Sequence, residues 1–162
     1  MNQAVNFFWT ILCFAPAVAY WAASGALLWC FIFIGISVMT QLIPGRLLQL
    51  STNPKWYEGL GVKFIRKFVQ HGEYINRLIR KSQPGYGIIK HKANAAQYLK
   101  TIVMYERFHL ICFIFFLLTT IHSFINHYNM LTLLMLGANI IYNICPILLQ
   151  QYNRARVLKL DR

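Results

Sequence analysis

Glu106 and His109 are the residues in this chain best placed to do chemistry. They lie three apart at the start of a long uncharged stretch, and residues three apart on a helix share a face. Ionisable side chains inside a membrane segment are costly and normally face a bundle interior or a cavity. A carboxylate beside an imidazole can orient the ring and stabilise its protonated form, which makes a workable general base. A second set of polar groups lies near the C-terminus. Asn139 and Asn143 are four apart, Pro146 follows, and then comes Gln150-Gln151-Tyr152-Asn153-Arg154-Ala155-Arg156. If the two stretches run antiparallel, Asn143 reaches roughly the depth of His109. Amide, phenol and guanidinium donors there suit a developing oxyanion or a phosphate. Spacing alone leaves another reading open. Glu106 could pair with Arg107 or Lys100 while His109 snorkels to the interface. The two Asn would then join helices, and Arg154 and Arg156 would only fix orientation.

Other chemistries are excluded by what is scarce. The 162 residues hold four acids, Glu58, Glu73, Glu106 and Asp161. A single terminal Asp makes a paired-Asp metal site or a Ser-His-Asp triad implausible. His122 and His127 lie thirteen and eighteen residues beyond His109, about 20 Å or more along a helix, so they read as interfacial residues outside its site. Cys13, Cys30, Cys112 and Cys145 form no Cys-x-x-Cys pair, and each reads as a small buried apolar side chain. No metal site and no resident cofactor are expected.

The elements that position these groups are helices in a membrane. The chain is 57% hydrophobic and 12% charged, against about 25% charged in soluble domains. Residues 1–45 and 108–153 carry no Asp, Glu, Lys or Arg, whereas residues 46–107 carry twelve Lys or Arg. A net charge of +12 can signal nucleic acid. Basic residues confined between apolar blocks point to a membrane instead. Each block is long enough for two helices of about 20 residues. Spans are expected at about 5–21, 26–43, 102–121 and 130–150, with turns at Ala22-Ala23-Ser24-Gly25 and His122–Asn129. Pro16 should kink the first helix, and Pro44-Gly45 should stop the second. The expected fold is all-α: a single polytopic membrane domain of four transmembrane helices. Lys and Arg favour the cytoplasmic side, which puts both termini and the segment at about 46–100 in the cytoplasm of a multi-pass cell-membrane protein.

That segment, between the second and third spans, reads as basic and partly helical. From Leu60 to Lys81 apolar positions recur near helical spacing, and Lys63, Arg66, Lys67, Arg77, Arg80 and Lys81 form the polar side. Gly72 divides it, Pro84-Gly85-Tyr86-Gly87 turns it, and His91–Lys100 leads into the third span. Asn53-Pro54 with Trp56-Tyr57 fits an interfacial turn with aromatic anchoring. The segment could lie flat on anionic headgroups, or cap a cytoplasmic-side active site.

Three stretches resemble a known family. They are Trp56-Tyr57-Glu58-Gly59-Leu60-Gly61-Val62-Lys63 running to Asn76-Arg77, the Glu106-x-x-His109 pair, and Asn143-x-x-Pro146 followed by Gln150-Gln151-Tyr152-Asn153-Arg154-Ala155-Arg156. Together they resemble the small integral membrane acyltransferases named for glycosyl-diaponeurosporenoate acyltransferase. A basic residue often precedes the Tyr-Asn-Arg of that family's pattern, and here Gln151 takes the place. The resemblance implies transfer of a fatty acyl chain to a hydroxyl of a lipid-like or glycosylated acceptor. The acyl donor, such as an acyl thioester, would be a co-substrate. Glu106 and His109 would be catalytic. Asn143, Tyr152, Asn153, Arg154 and Arg156 would serve the oxyanion or the substrate, and Lys63, Arg66 and Arg77 an acyl carrier or headgroup.

Expected partners are membrane lipids and the acceptor, without nucleic acid; an oligomer is compatible with the sequence. Two further functions compete. A non-catalytic lipid-binding scaffold, or a subunit of a larger membrane enzyme, would tolerate loss of Glu106 and His109. A small transporter would need a polar stripe through the whole bilayer, and the polar groups gather at one end.

Overall fold

Two helical hairpins build the bundle of this computed structural model, which describes residues 2–68 and 93–160. Helix α1, Asn2–Ser24, runs through Pro16 and ends at Gly25, whose φ of +63° suits a residue without Cβ. Helix α2, Leu27–Met39, returns and tightens into a 3-10 turn at Thr40–Leu42. Ile43 is extended, and the one-turn helix α3, Gly45–Leu48, follows Pro44. Helix α4, Pro54–Gly59, is capped by Asn53, whose side chain accepts from the Lys55 amide at 3.1 Å. Gly61, φ +78°, separates it from α5, Val62–Phe68.

The second hairpin is longer than its membrane crossing requires. Helix α6, Ala93–Ile125, has 33 residues, about 50 Å at 1.5 Å each, against a hydrocarbon core of about 30 Å. It therefore joins the expected span at 102–121 and the segment before it in one rod. A turn at His127, φ 61°, leads into α7, Asn129–Asn139. A π-helical turn, Ile140–Ile144, connects α7 to α8, Cys145–Leu160. The π turn ends just before Pro146. Proline has no N–H for the carbonyl four residues earlier, so the Tyr142 carbonyl lacks its α-helical donor.

The all-α expectation holds throughout the described residues. Three helices are long and apolar enough to cross a membrane: Asn6–Ser24, Ala96–Ile125 and Asn129–Lys159. The second expected span, at about 26–43, corresponds to a shorter apolar helix, Leu27–Leu42. The expected helix from Leu60 is present as far as Phe68. Its continuation, with Gly72, Arg77 and the Pro84–Gly87 turn, lies outside the described residues.

Burial is inverted relative to a soluble bundle. Phe7, Ile11, Leu28, Phe31, Met130 and Leu133 are exposed, while Ser37, Glu106, Thr119, Ser123, Thr132, Asn139, Asn143 and Gln151 are buried. Exposed apolar faces of this kind suit a membrane-spanning bundle, in which neighbouring helices must satisfy the buried polar groups. One core cluster, around Tyr20, Trp21, Phe33, Phe116 and Met135, joins the two hairpins. A second, of Tyr57, Val62, Leu149, Tyr152 and Ala155, packs α4 and α5 against α8. Tyr57 is thus fully buried, a correction to its expected anchoring role; Trp56 beside it is 44% exposed. The four cysteines are free thiols, Cys13 and Cys112 buried and the other two half-buried.

Candidate active site

Adjacent turns of α6 serve two different environments. Glu106 is 2% exposed and faces α8 and the chain that follows α3. Its carboxylate accepts from Gln151 Nε2 at 2.8 Å and pairs with Arg154 Nη1 at 3.1 Å. Gln151 Nε2 also donates to the Leu48 carbonyl at 2.6 Å, and Gln151 Oε1 accepts from the Tyr57 hydroxyl at 3.1 Å. Gln49 accepts from Arg154 Nε and donates to the Tyr57 oxygen at 2.7 Å. The result is a closed polar knot. Its geometry follows from α8 staying helical as far as Leu160, because residues 151 and 154 are one turn apart on one face. Burial pushes the Tyr57 phenol above its ordinary range.

His109 faces elsewhere. It lines a cleft of ≈ 520 Å³, within the size range of ligand pockets, about 300–1,000 Å³. Trp9 and Thr10 of α1, Phe64 and Ile65 of α5, Tyr105 and Phe108 of α6, and Ile141, Tyr142 and Pro146 of the fourth apolar helix form most of the wall. The Thr10 hydroxyl and the Tyr142 phenol share a hydrogen bond of 2.8 Å. His109 packs edge-on to the Tyr142 ring at 5.4 Å. The Asn143 amide and the Tyr142 carbonyl lie beside the imidazole. His109 Nδ1 and Asn143 Oδ1 are both buried and make no hydrogen bond.

Glu106 and His109 therefore share a helix but no hydrogen bond. The carboxylate is occupied by Gln151 and Arg154, and the expected direct Glu-His contact is replaced by these two. Among the other expected site residues, Asn143 does reach His109. Tyr152 turns the opposite way and donates to Glu58 Oε1 at 3.1 Å. Lys63 pairs with Glu58 Oε2 at 2.7 Å, and Arg156 lies over the Tyr152 ring at 5.4 Å. The Lys63 ammonium holds the Glu58 carboxyl below its usual range, with help from Tyr152 and against some desolvation; Glu58 in turn raises Lys63. Asn153 is half-buried on α8, Arg66 is half-buried on α5, and Arg77 lies outside the described residues.

Of the polar knot, Gln49 has no role in the sequence reading, while Tyr57 appears there only as an aromatic anchor and Gln151 only among the polar groups that follow Pro146. Helical spacing could have paired Gln151 with Arg154. No short-range signal connects Gln49 with a residue more than a hundred positions away. Arg107, a candidate partner of Glu106 by sequence, instead donates to the Thr40 and Gln41 carbonyls at 3.3 and 3.2 Å.

Comparison with curated proteins and with solved structures gives no match. The family model described as glycosyl-4,4'-diaponeurosporenoate acyltransferase matches residues 45–162, from the first residue of α3 to the C-terminus. That stretch carries the polar knot, His109 and most of the cleft, and the chain belongs to this acyltransferase family.

Proposed function

We propose that this acyltransferase moves a fatty acyl chain to a hydroxyl of a lipid-like, glycosylated acceptor at the cytoplasmic leaflet, with His109 as general base. The family's printed name supports a sugar-bearing, lipid-soluble acceptor. The observation that carries the reading is His109 itself. Among the residues lining the apolar cleft it alone carries an imidazole, the side chain most often used as a general base.

In this account the acyl chain lies along the aromatic and aliphatic walls, each buried methylene contributing about 0.8 kcal/mol. The acceptor hydroxyl loses its proton to the His109 imidazole as its oxygen bonds to the carbonyl carbon of an acyl thioester. The tetrahedral intermediate then expels sulfur, and the imidazolium returns the proton to the departing thiolate. Ester and free thiol result, and no protein nucleophile is needed. Glu106 is a positioning residue that fixes Arg154 and Gln151. Asn153 and Arg156 on α8, with Lys63 and Arg66 on α5, border the entry used by the donor's phosphate, while Arg154 and Tyr152 are held by Glu106 and Glu58. Lys63 and Arg66 flank Phe64 and Ile65 of the cleft wall, which supports that placement. Arg77 belongs to the same basic segment.

The proposed topology has four spans, with Leu27–Leu42 crossing by local bilayer thinning. Both termini and residues 46–100 face the cytoplasm, where Lys and Arg concentrate. Lipid acyl chains cover the exposed apolar faces. The test is product formation in membranes carrying His109→Ala. Transfer should fall roughly 10²- to 10⁴-fold with normal insertion, and unchanged product would overturn the assignment.

A further inference from the structure

We propose that Asn139 and Asn143 form a positioning relay, anchored on the Phe113 carbonyl, that fixes the tautomer of His109 and leaves Nε2 as the proton acceptor. This rests on the reading of His109 as base, and deepens it by saying which nitrogen acts and what sets it.

The relay follows from hydrogen-bond direction. A backbone carbonyl only accepts. Asn139 must therefore turn its NH₂ toward Phe113, and Nδ2 donates there at 3.3 Å. That orientation turns Asn139 Oδ1 the other way, where it accepts from Asn143 Nδ2 at 2.8 Å. Asn143 is then fixed in turn, with its NH₂ committed to Asn139 and its Oδ1 left over. Asn143 Oδ1 is buried, makes no hydrogen bond and belongs to an amide beside the His109 ring. His109 Nδ1 is buried and equally without a partner. A buried acceptor of fixed orientation demands a donor, because a buried polar atom left unpaired loses its solvation with nothing to replace it. A neutral imidazole carries one N–H and one bare nitrogen. If Nδ1 carries the hydrogen toward Asn143, Nε2 is bare and can take a proton from the acceptor.

Local backbone supports the device. Asn139 immediately precedes the π turn Ile140–Ile144, and Asn143 lies within it. Such turns recur at functional sites, where they re-aim a side chain. Both Asn are nearly inaccessible, at 3% and 0% exposure, so water is a poor substitute partner.

The test is ¹⁵N NMR of the full-length protein in lipid nanodiscs, with ¹⁵N-labelled imidazole. The His109 signals are assigned by their loss in His109→Gln and read at a pH where the ring is neutral. The wild-type ring should show a protonated Nδ1 and a bare Nε2. Asn143→Asp, which keeps an acceptor oxygen, should preserve that pattern. Asn143→Ala and Asn139→Ala should give mixed tautomers, and transfer should fall roughly tenfold to 100-fold, the scale on which partners that orient a functional imidazole act. A protonated Nε2 in the wild type would overturn the relay and assign the ring proton to another acceptor such as the Tyr142 carbonyl. Unchanged tautomers in both Ala variants would also overturn it, and either variant alone decides if the other fails to insert. Activity separates the two proposals. Full transfer by His109→Gln would remove the base while the spectra still judge the relay.

Discussion

The middle and the far end of helix α6 hold the same side chain in opposite states. At the far end, His122 accepts or shares a hydrogen with the Tyr20 hydroxyl through Nδ1. Trp21 stacks on its ring at 5.5 Å and 28°, and Trp29 and Phe33 close around it at 5.9 and 5.7 Å. At the middle, His109 opens on a cleft. His122 spends its polarity and its surface on joining α1 and α2 to α6. His109 keeps a nitrogen in reserve beside room for a ligand. Residue type does not distinguish the two; partner count and adjoining empty volume do. Carboxylates show the same division. The buried Glu106 is fully committed to Arg154 and Gln151, so its rarity in the chain reflects a structural need to hold α8 as much as any chemistry.

Replacing each histidine gives the sharpest contrast. His109→Ala should lower acyl transfer roughly 10²- to 10⁴-fold with little change in unfolding temperature. His122→Phe should preserve transfer. It should cost about 1–3 kcal/mol of stability, because the Tyr20 hydroxyl loses its partner in a buried site. Denaturation in detergent and a product assay measure the two, and equal activity loss would erase the distinction between the two positions. The polar knot should behave as structure. Arg154→Met strands a buried carboxylate and should destabilise by about 3–5 kcal/mol. Adding Glu106→Gln removes the stranded charge and should recover much of that loss, which a double-mutant cycle quantifies.

Smaller effects follow from the cleft wall and its mouth. Trp9→Ala enlarges the cavity and should shift the preferred acyl chain toward longer donors, read as a ratio of kcat/KM between chain lengths. Lys63→Met should raise the Glu58 pKa toward its ordinary value, because the first cause of its depression is gone. A depressed carboxylate stabilises the fold above its unfolded pKa, and that contribution disappears as pH falls through the folded pKa. The variant should therefore lose that stabilisation above the carboxylate range, and its difference from the wild type should vanish as pH falls through the Glu58 pKa. The effect is small, since both partners are solvent-accessible, and a titration by NMR would detect it.

Much of this arrangement is legible in the residue order. Uncharged blocks define the apolar helices, and antiparallel spans bring Asn143 to the depth of His109 as helical rise requires. The break near Pro146 also follows from one missing N–H. Facing directions are less legible. Glu106 and His109 sit about 60° apart around the helix axis, at 100° per residue. That angle is narrow enough to suggest a pair, yet wide enough for one to meet α8 and the other the cleft. Gln49 and Tyr57 join the polar knot through a loop whose path depends on α4 and α5 packing against α8, which no local spacing encodes. Tyr152 and Arg156, four apart, share a face directed at Glu58 because α8 stays helical as far as Leu160.

The account's central claim is that the cleft beside His109 holds the reacting end of an acyl chain. The most direct measurement is a structure of the full-length protein in lipid, bound to a non-transferable thioether analogue of an acyl thioester. The account predicts the chain along Trp9, Phe108 and Ile141, with the atom that replaces the carbonyl carbon beside the His109 imidazole. An acyl chain bound outside this cleft, with its head group remote from His109, would contradict it.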